Sequence, residues 1–150
     1  MTKQIERATS ARGSRGHVAV VDDDPMLLDL MGEVLVDGGW TATTISDASS
    51  GLPAALSEKP DVIILDIRLR GAESGWRVLH DLKVHPLTRA TPIIVWSGDA
   101  RLLEDRRDWL EQHGIRSLRK PFAIDELFGL LDTAVDEKDR GEASRAAIPV

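Results

Sequence analysis

Apolar and polar residues alternate along this chain in two patterns that predict its secondary structure. Five short apolar or β-branched runs lie at His17–Asp22, Trp40–Ile45, Asp61–Asp66, Pro92–Ser97 and Ile115–Arg119. Three of these runs (VAVVD, VIILD and PIIVWS) are almost continuously apolar, which predicts parallel strands that are covered on both faces. The second run is rich in Thr, which is typical of a strand nearer the edge of a sheet.

Segments with helical spacing fill the gaps between these runs. They span Pro25–Asp37, Ala48–Glu58, Gly75–Val84, Ala100–His113 and Ile124–Val135. The first has Asp24 at the N-cap position and Pro25 at the first helical position, which favours a helix start there. Five strands alternating with five helices predict an α/β fold, a doubly wound parallel sheet with helices on both faces. An eight-stranded barrel would need about twice this length of chain.

Composition and charge restrict the possible classes of function. The chain has 150 residues, a net charge of −6 and no cysteine, so we expect one domain without disulfides or thiolate metal sites. The acidic balance disfavours a general nucleic-acid binder, because such a protein needs a basic face. The first residues lack the apolar stretch of a secretory signal, and no apolar run is long enough to span a membrane. We therefore expect a cytoplasmic protein that contacts neither membrane nor nucleic acid.

Both ends of the chain differ from the patterned region. Residues 1–16 are polar and basic, and residues 136–150 are charged and then rich in alanine. The first segment shows no periodicity, and the composition of both ends predicts flexible tails. The domain itself is predicted at residues 17–135.

Polar residues suited to phosphoryl chemistry stand where the predicted strands end. Asp22 and Asp23 close the first strand, Asp66 the third and Ser97 the fourth, and Lys120 follows the fifth. In a doubly wound sheet these ends converge on one crevice. Carboxylates gathered there repel one another and favour a Mg²⁺ ion, and an aspartate can act as a nucleophile towards phosphorus. An ammonium group and a hydroxyl can stabilise the charge on the phosphoryl oxygens.

Four motifs at these strand ends resemble those of a known family. VVDDDP, DVIILDIRL, IIVWSGDA and LRKPF occur in the order, and near the spacing, found in the receiver domains of two-component response regulators. Residues 17–135 resemble this CheY-like superfamily. The resemblance implies a flavodoxin-like parallel sheet with the strand order 2-1-3-4-5.

The resemblance also implies a role for each strand-end residue. Asp66 matches the phosphoacceptor, and Asp22 and Asp23 match the acidic pair of the metal site. Ser97 matches the switch hydroxyl, and Lys120 matches the lysine that contacts the phosphoryl group. The implied cofactor is Mg²⁺, which Asp66 also contacts.

Further positions around the site follow from the same resemblance. The backbone carbonyl of Arg68 matches the third protein ligand to Mg²⁺, and the Lys120–Pro121 bond matches one that is usually cis. Arg68 and Asp99 match positions at the mouth of the site that influence how long the phosphoryl group survives. As a hypothesis, an ion pair between them restricts the access of attacking water.

The chain departs from the family pattern in two places. The loop after Asp66 is one residue longer and has Arg70 where the family usually has Pro. Ser117 stands where the family often has the Tyr or Phe that turns inward on activation. Trp96 and Trp109 are candidates for reporting activation instead, although packing is the simpler interpretation of both.

These features predict a phosphorylation-activated signalling switch. A sensor histidine kinase or a histidine phosphotransfer protein would supply the phosphoryl group, and the domain would catalyse only its own phosphorylation and dephosphorylation. The short segment after Val135 favours a stand-alone regulator, which signals to an unidentified downstream protein by contact or by phosphorelay.

Two alternative functions remain open from the sequence. A Mg²⁺-dependent phosphatase with an aspartate nucleophile would resemble haloacid dehalogenases, but Arg68 stands where those enzymes have their general acid. A pseudo-receiver that is never phosphorylated is disfavoured by the intact Asp23, Asp66, Ser97 and Lys120. The two departures from the family pattern keep this second alternative open.

Overall fold

A six-stranded sheet organises the part of the chain that the computed structural model describes, which is residues 5–8, 14–68 and 74–146. The strands are β1 (Ile5–Ala8), β2 (His17–Val21), β3 (Thr41–Ile45), β4 (Val62–Asp66), β5 (Ile93–Ser97) and β6 (Arg116–Arg119). The helices are α1 (Pro25–Asp37), α2 (Gly51–Glu58), α3 (Ser74–Val84), α4 (Ala100–Asp105), α5 (Arg107–Gln112) and α6 (Ile124–Ala146). A single 3₁₀ turn at Ala48–Ser50 precedes α2.

The sheet confirms the predicted α/β architecture with a parallel core. Its strand order is β1-β3-β2-β4-β5-β6, and the five strands from β2 to β6 pair in parallel. These five lie in the predicted order 2-1-3-4-5. Asp24 caps α1 as predicted, because its carboxylate accepts hydrogen bonds from the backbone N–H groups of Met26 and Leu27.

The predicted number of elements is wrong, since the described residues contain six strands and six helices. The additional strand, β1, lies within the segment predicted as an N-terminal tail and pairs antiparallel with β3. Its sequence, IERA, is short and has no clear alternation, and its pairing partners lie at residues 42–45. Local sequence patterns therefore carried no signal for it.

The other differences concern the C-terminal helices. The segment Ala100–His113, predicted as one helix, is interrupted at Arg106, although no Gly or Pro marks the position. The last helix continues from Ile124 to Ala146 and so includes most of the predicted C-terminal tail. Glu, Lys, Arg and Ala in this extension are good helix formers. Ion pairs from Lys138 to Asp61, and from Glu137 to Arg116, hold the extension against the sheet.

The core forms two apolar layers, one on each face of the sheet. Alternate residues of a strand point to opposite faces, so Val18 and Val20 pack towards α1 and α6, whereas Ala19 and Val21 pack towards α2 and α3. The same alternation continues through β4 and β5, which are buried along their whole length. No helix within the described ranges is long and apolar enough to cross a membrane.

A glycine at the start of α3 allows this helix to approach the end of β4. A Cβ atom on Gly75 would lie 2.2 Å from the backbone oxygen of Ile67, which is far inside van der Waals contact. Any other residue would have to push the helix away from the chain that follows Asp66. Gly75 therefore helps to fix the backbone at the carboxyl end of the central strand.

Candidate functional site

Strand alternation brings four side chains of the site to one face of the sheet. Asp22 lies two residues after Val20, and Asp66 lies two residues after Ile64, which both belong to the layer under α1 and α6. Trp96 belongs to this layer, and Lys120 lies two residues after Leu118, another member. Because side chains repeat every two residues along a strand, all four point to the same face at the carboxyl ends of the strands.

Three carboxylates form a compact cluster at these strand ends. Asp22, Asp23 and Asp66 each offer one oxygen atom, and the three oxygens lie within 4.8 Å of one another. Asp22 and Asp66 are buried, with 1% and 6% of their surfaces exposed, whereas Asp23 is half-buried. Carboxylate oxygens at this spacing suit a hard divalent cation such as Mg²⁺, which also keeps several water ligands. The described residues thus fit the metal that the sequence predicted.

Lys120 joins two members of this cluster. Its Nζ atom lies 2.6 Å from Oδ2 of Asp22 and 3.3 Å from Oδ2 of Asp66. Its backbone N–H donates to the carbonyl of Ser97 at 2.8 Å, which anchors the lysine beside β5. The peptide bond to Pro121 is cis, as the family resemblance implied.

The electrostatics of the cluster are unbalanced, because two buried carboxylates share one ammonium group. Burial raises the pKa of Asp22 above its ordinary value, and the hydrogen bonds from Lys120 and from the backbone N–H of Asp24 oppose this rise. The nearby charge of Asp66 adds to the rise. An additional positive charge would relieve this repulsion, which is what a bound cation supplies.

Backbone hydrogen bonds orient the side chains of Asp66 and Ser97. Oδ1 of Asp66 accepts from the backbone N–H of Arg68 at 2.8 Å. Ser97 is 1% exposed, and its Oγ accepts from the backbone N–H of Asp99 at 3.0 Å. Each side chain is thus oriented by the backbone of the residue two positions further along the chain.

An ion pair connects the two predicted mouth residues. The guanidinium of Arg68 contacts the carboxylate of Asp99, and Asp99 also caps α4 by accepting from the N–H of Leu102 at 3.0 Å. This N–H bond, together with the Arg68 side chain, lowers the pKa of Asp99. The pair that we predicted across the mouth is therefore present, while its effect on attacking water stays a prediction.

Two departures from the family pattern, the longer loop and Ser117, lie away from the described cluster or outside the described residues. Arg70 and the rest of the longer loop, residues 69–73, lie outside the described residues, as do residues 1–4, 9–13 and 147–150. Ser117, which replaces the usual aromatic residue, is exposed on β6.

Trp96 is a residue of the site that the sequence pattern does not reveal. We interpreted it mainly as a packing residue, whereas Nζ of Lys120 lies 4.6 Å from the centroid of its ring. The feature that brings Trp96 to the site is strand register, because Trp96 pairs directly with Asp66 on the neighbouring strand. This register depends on how the strands align and could not be read from the local pattern alone.

Comparison with known proteins agrees with this geometry. The family model for the response regulator receiver domain matches residues 18–132. The chain belongs to the response regulator receiver family. Its receiver domain is 37% identical over 118 residues to the probable transcriptional regulatory protein TcrX of Mycobacterium tuberculosis, a match that covers 78% of this chain and 48% of TcrX. It is 32% identical over 132 residues to the DNA-binding transcriptional regulator NtrC of Escherichia coli, covering 87% of this chain and 27% of NtrC.

Solved receiver structures share the fold. The receiver domain of the sensor histidine kinase PA1611 from Pseudomonas aeruginosa, which has a magnesium ion coordinated in its active-site cleft, aligns with a TM-score of 0.70 and 25% identity over 83% of this chain and 99% of that chain. The apo receiver domain of NtrC aligns with a TM-score of 0.71 and 31% identity, covering 83% of this chain and 97% of that chain. The chain spans less than half of TcrX and about a quarter of NtrC.

Proposed function

We propose that this receiver domain is a phosphorylation-activated switch in which Asp66 accepts a phosphoryl group in a Mg²⁺-dependent reaction. The proposal is supported by one observation. At the carboxyl ends of the strands, three carboxylates lie close together and Lys120 contacts two of them, Asp22 and Asp66. The donor would be a sensor histidine kinase, a histidine phosphotransfer protein or a small acyl phosphate. Membership of the receiver family supports this choice of donor.

The chemical step assigns a task to each side chain. A carboxylate oxygen of Asp66 attacks phosphorus and forms the new P–O bond, while the P–N bond to the donor imidazole breaks and its electron pair stays on the leaving nitrogen. Lys120, already within 3.3 Å of Asp66, pairs with one phosphoryl oxygen, and the hydroxyl of Ser97 donates to another. Attack of water on phosphorus later releases phosphate and restores the carboxylate. The domain would thus catalyse only its own modification and its reversal.

The metal requirement follows from the acidic cluster. Asp22, Asp23 and Asp66, with the backbone carbonyl of Arg68, would hold Mg²⁺. When bound, the ion neutralises charge that develops on the transferring phosphoryl group. The magnesium ion in the similar PA1611 receiver domain supports this assignment.

The output of the switch is proposed to be contact with another protein or onward phosphoryl transfer. TcrX and NtrC are named as transcriptional regulators, but this chain matches less than half of either. The net charge of −6 disfavours direct binding of nucleic acid by the receiver domain itself. We place this activity in the cytoplasm, where two-component phosphoryl transfer would occur.

The ion pair at the mouth is proposed to set the lifetime of the phosphoryl group. Arg68 and Asp99 contact each other beside the site, so removing either side chain would open a path for water. We expect Arg68→Ala and Asp99→Ala to raise the dephosphorylation rate by a few-fold, measured by loss of the phosphorylated species over time. Unchanged rates in both variants would contradict this role.

The test of the proposed function uses acetyl phosphate and Mg²⁺ followed by intact mass measurement. We expect one phosphate adduct in the wild type, none in Asp66→Asn and strong loss of the adduct when a chelator removes Mg²⁺. Asp61→Asn, at the other end of β4, is the matched control and should retain the adduct. An adduct that persists in Asp66→Asn would refute the phosphoacceptor assignment.

Two further observations, the first from a separate assay with a phosphomonoester, separate the alternatives. Steady turnover of a phosphomonoester would favour the aspartyl phosphatase. A folded wild type that takes no phosphate under these conditions would favour the pseudo-receiver.

A further inference from the structure

Two buried tryptophans share the apolar layer under α1 and α6 but have different surroundings. Trp40 and Trp96 are 1% and 0% exposed, and neither indole N–H has a hydrogen-bond partner among the described residues. Trp40 lies just before β3, at the amino end of the sheet, whereas Trp96 lies near the carboxyl end of β5. Nζ of Lys120 lies 4.6 Å from the ring centroid of Trp96. Packing in the core explains the position of Trp40, whereas the ring of Trp96 also contacts the ammonium group of Lys120.

The indole ring offers Lys120 a kind of contact that the carboxylates cannot offer. The face of a Trp ring attracts an ammonium group through its quadrupole. This attraction does not use up an N–H donor in a directed hydrogen bond, so the donors of Lys120 stay available for phosphoryl oxygens. When Asp66 becomes phosphorylated, the contacts of Lys120 with Asp22 and Asp66 must be exchanged, whereas the contact with the ring can persist.

The ring of Trp96 is buried between two strands and Phe122. The backbone of Trp96 pairs with Asp66 on β4 and with Leu118 on β6, so it lies between the phosphoacceptor strand and the strand that leads to Lys120. Its ring packs against Phe122, with the centroids 5.7 Å apart. Phe122 lies two residues after Lys120, so both ends of the Lys120–Pro121–Phe122 segment contact the same indole.

We infer that Trp96 is a positioning residue, whose ring holds the ammonium group of Lys120 beside Asp66 while the lysine changes its partners. The inference rests on the proposed function, because the position of the ammonium matters for phosphoryl transfer. It also makes Trp96 an internal reporter of phosphorylation, since the charge next to its ring changes when the phosphoryl group arrives. Ser117, at the position where the family often has an aromatic residue, is exposed and has no ring that could report phosphorylation.

The contact can be tested by NMR in the unphosphorylated protein. The ring current of Trp96 should shift the terminal side-chain proton resonances of Lys120 upfield. The shift should be lost in Trp96→Met, partly retained in Trp96→Phe and unchanged in the matched control Trp40→Phe. Lys120 resonances at ordinary positions in the wild type would overturn the inference without touching the proposed function.

The effect on chemistry is measured as the rate of phosphorylation by acetyl phosphate with Mg²⁺. We expect Trp96→Met, which keeps an apolar side chain without a ring face, to slow the reaction by roughly three- to tenfold. Trp96→Phe should recover most of the rate, and Trp40→Phe should react like the wild type. If the Met variant does not fold, fluorinated tryptophan at position 96 keeps the shape, weakens the quadrupole and should slow the reaction in the same direction.

The outcomes distinguish this inference from the proposed function. Equal rates in Trp96→Met and the wild type, or in the fluorinated protein if that is used, would overturn the role of Trp96 alone. Absence of a phosphate adduct in the wild type would overturn the proposed function and, with it, this role. Phosphorylation should also change the tryptophan fluorescence of the wild type but not that of Trp96→Phe. An identical change in both proteins would overturn the reporter role.

Discussion

The central strand β4 has an aspartate and a lysine at each end, but the two ends differ in charge balance. At the amino end, Asp61 contacts Lys138 at 2.9 Å and accepts from the backbone N–H of His17 at 2.7 Å. At the carboxyl end, Asp66 lies 3.3 Å from Lys120, which also contacts Asp22 at 2.6 Å. At one end Asp61 and Lys138 therefore form an ion pair, whereas at the other end two buried carboxylates share Lys120.

The exposure of these pairs sharpens the contrast. The side chain of Asp61 is 36% exposed, whereas those of Asp22 and Asp66 are 1% and 9% exposed. Water can solvate the first pair, so its charges cost little. The second group combines burial with excess negative charge, an arrangement that destabilises the folded protein unless a bound cation offsets the charge. Buried carboxylates that share one lysine are thus a better sign of a reactive site than a partly exposed Asp–Lys pair.

The largest expected difference between the two ends concerns Mg²⁺. We expect Asp23→Asn to weaken Mg²⁺ binding by about tenfold or more, because it removes one charged oxygen ligand from the cluster. Asp61→Asn, which removes the same charge at the other end, should leave the affinity unchanged. Calorimetric titration with Mg²⁺ measures both variants, and equal weakening would show that net charge rather than the cluster controls binding.

The next largest difference is in stability without metal. We expect Asp22→Asn to raise the free energy of unfolding of the Mg²⁺-free protein at neutral pH by about 1 kcal/mol, because it removes a buried charge while Lys120 keeps Asp66 as a partner. Urea unfolding measures this gain, and added Mg²⁺ should reduce or reverse it. A destabilised variant would show that the Asp22–Lys120 pair outweighs the repulsion.

The pH dependence of this gain has a definite sign. Burial raises the folded-state pKa of Asp22 above its ordinary value of 3.8, so the native Mg²⁺-free protein binds a proton more readily than the unfolded chain. Its stability from this group therefore falls as pH rises through the interval between the unfolded and folded pKa values. The advantage of Asp22→Asn should be present above this interval and disappear below it, as urea unfolding across acidic pH will measure.

The smallest effect is expected at the amino end and has the opposite sign. Asp61→Asn should lower the free energy of unfolding by about 0.5 kcal/mol, since it removes a partly exposed ion pair but keeps an acceptor for His17. Lys138→Met should have a similar effect, and a double-mutant cycle should show that the two changes are not additive. Stabilisation by Asp61→Asn would mean that removal of a carboxylate charge stabilises both ends of β4, and would contradict the proposed difference between them.

Local signals predicted those parts of the fold and site that depend on neighbouring residues. Asp24 and Pro25 marked the start of α1, and the polar residues after the buried strands marked the acidic cluster. The cis bond before Pro121 was implied by the resemblance of the LRKPF motif to the receiver family. In each case the deciding residues are close in sequence, or lie at strand ends that a parallel sheet must bring together.

What could not be predicted depends on contacts between distant residues. The contact of Lys120 with Trp96 needs the register of β5 and β6. The extension of α6 needs Asp61 and Arg116 as partners for its charged residues. The interruption at Arg106 coincides with a contact of its guanidinium with the ring of Trp76 on α3, which no local pattern contains.

The antiparallel strand β1 has a consequence for how copies of this protein meet. It occupies the hydrogen-bonding groups of β3, which would otherwise form an open edge able to recruit a strand from another molecule. Among the described residues this outer strand has four residues, and Glu6 on it is exposed. Deleting residues 1–8 would uncover the Thr-rich edge of β3, so we expect the deletion to increase strand-mediated self-association.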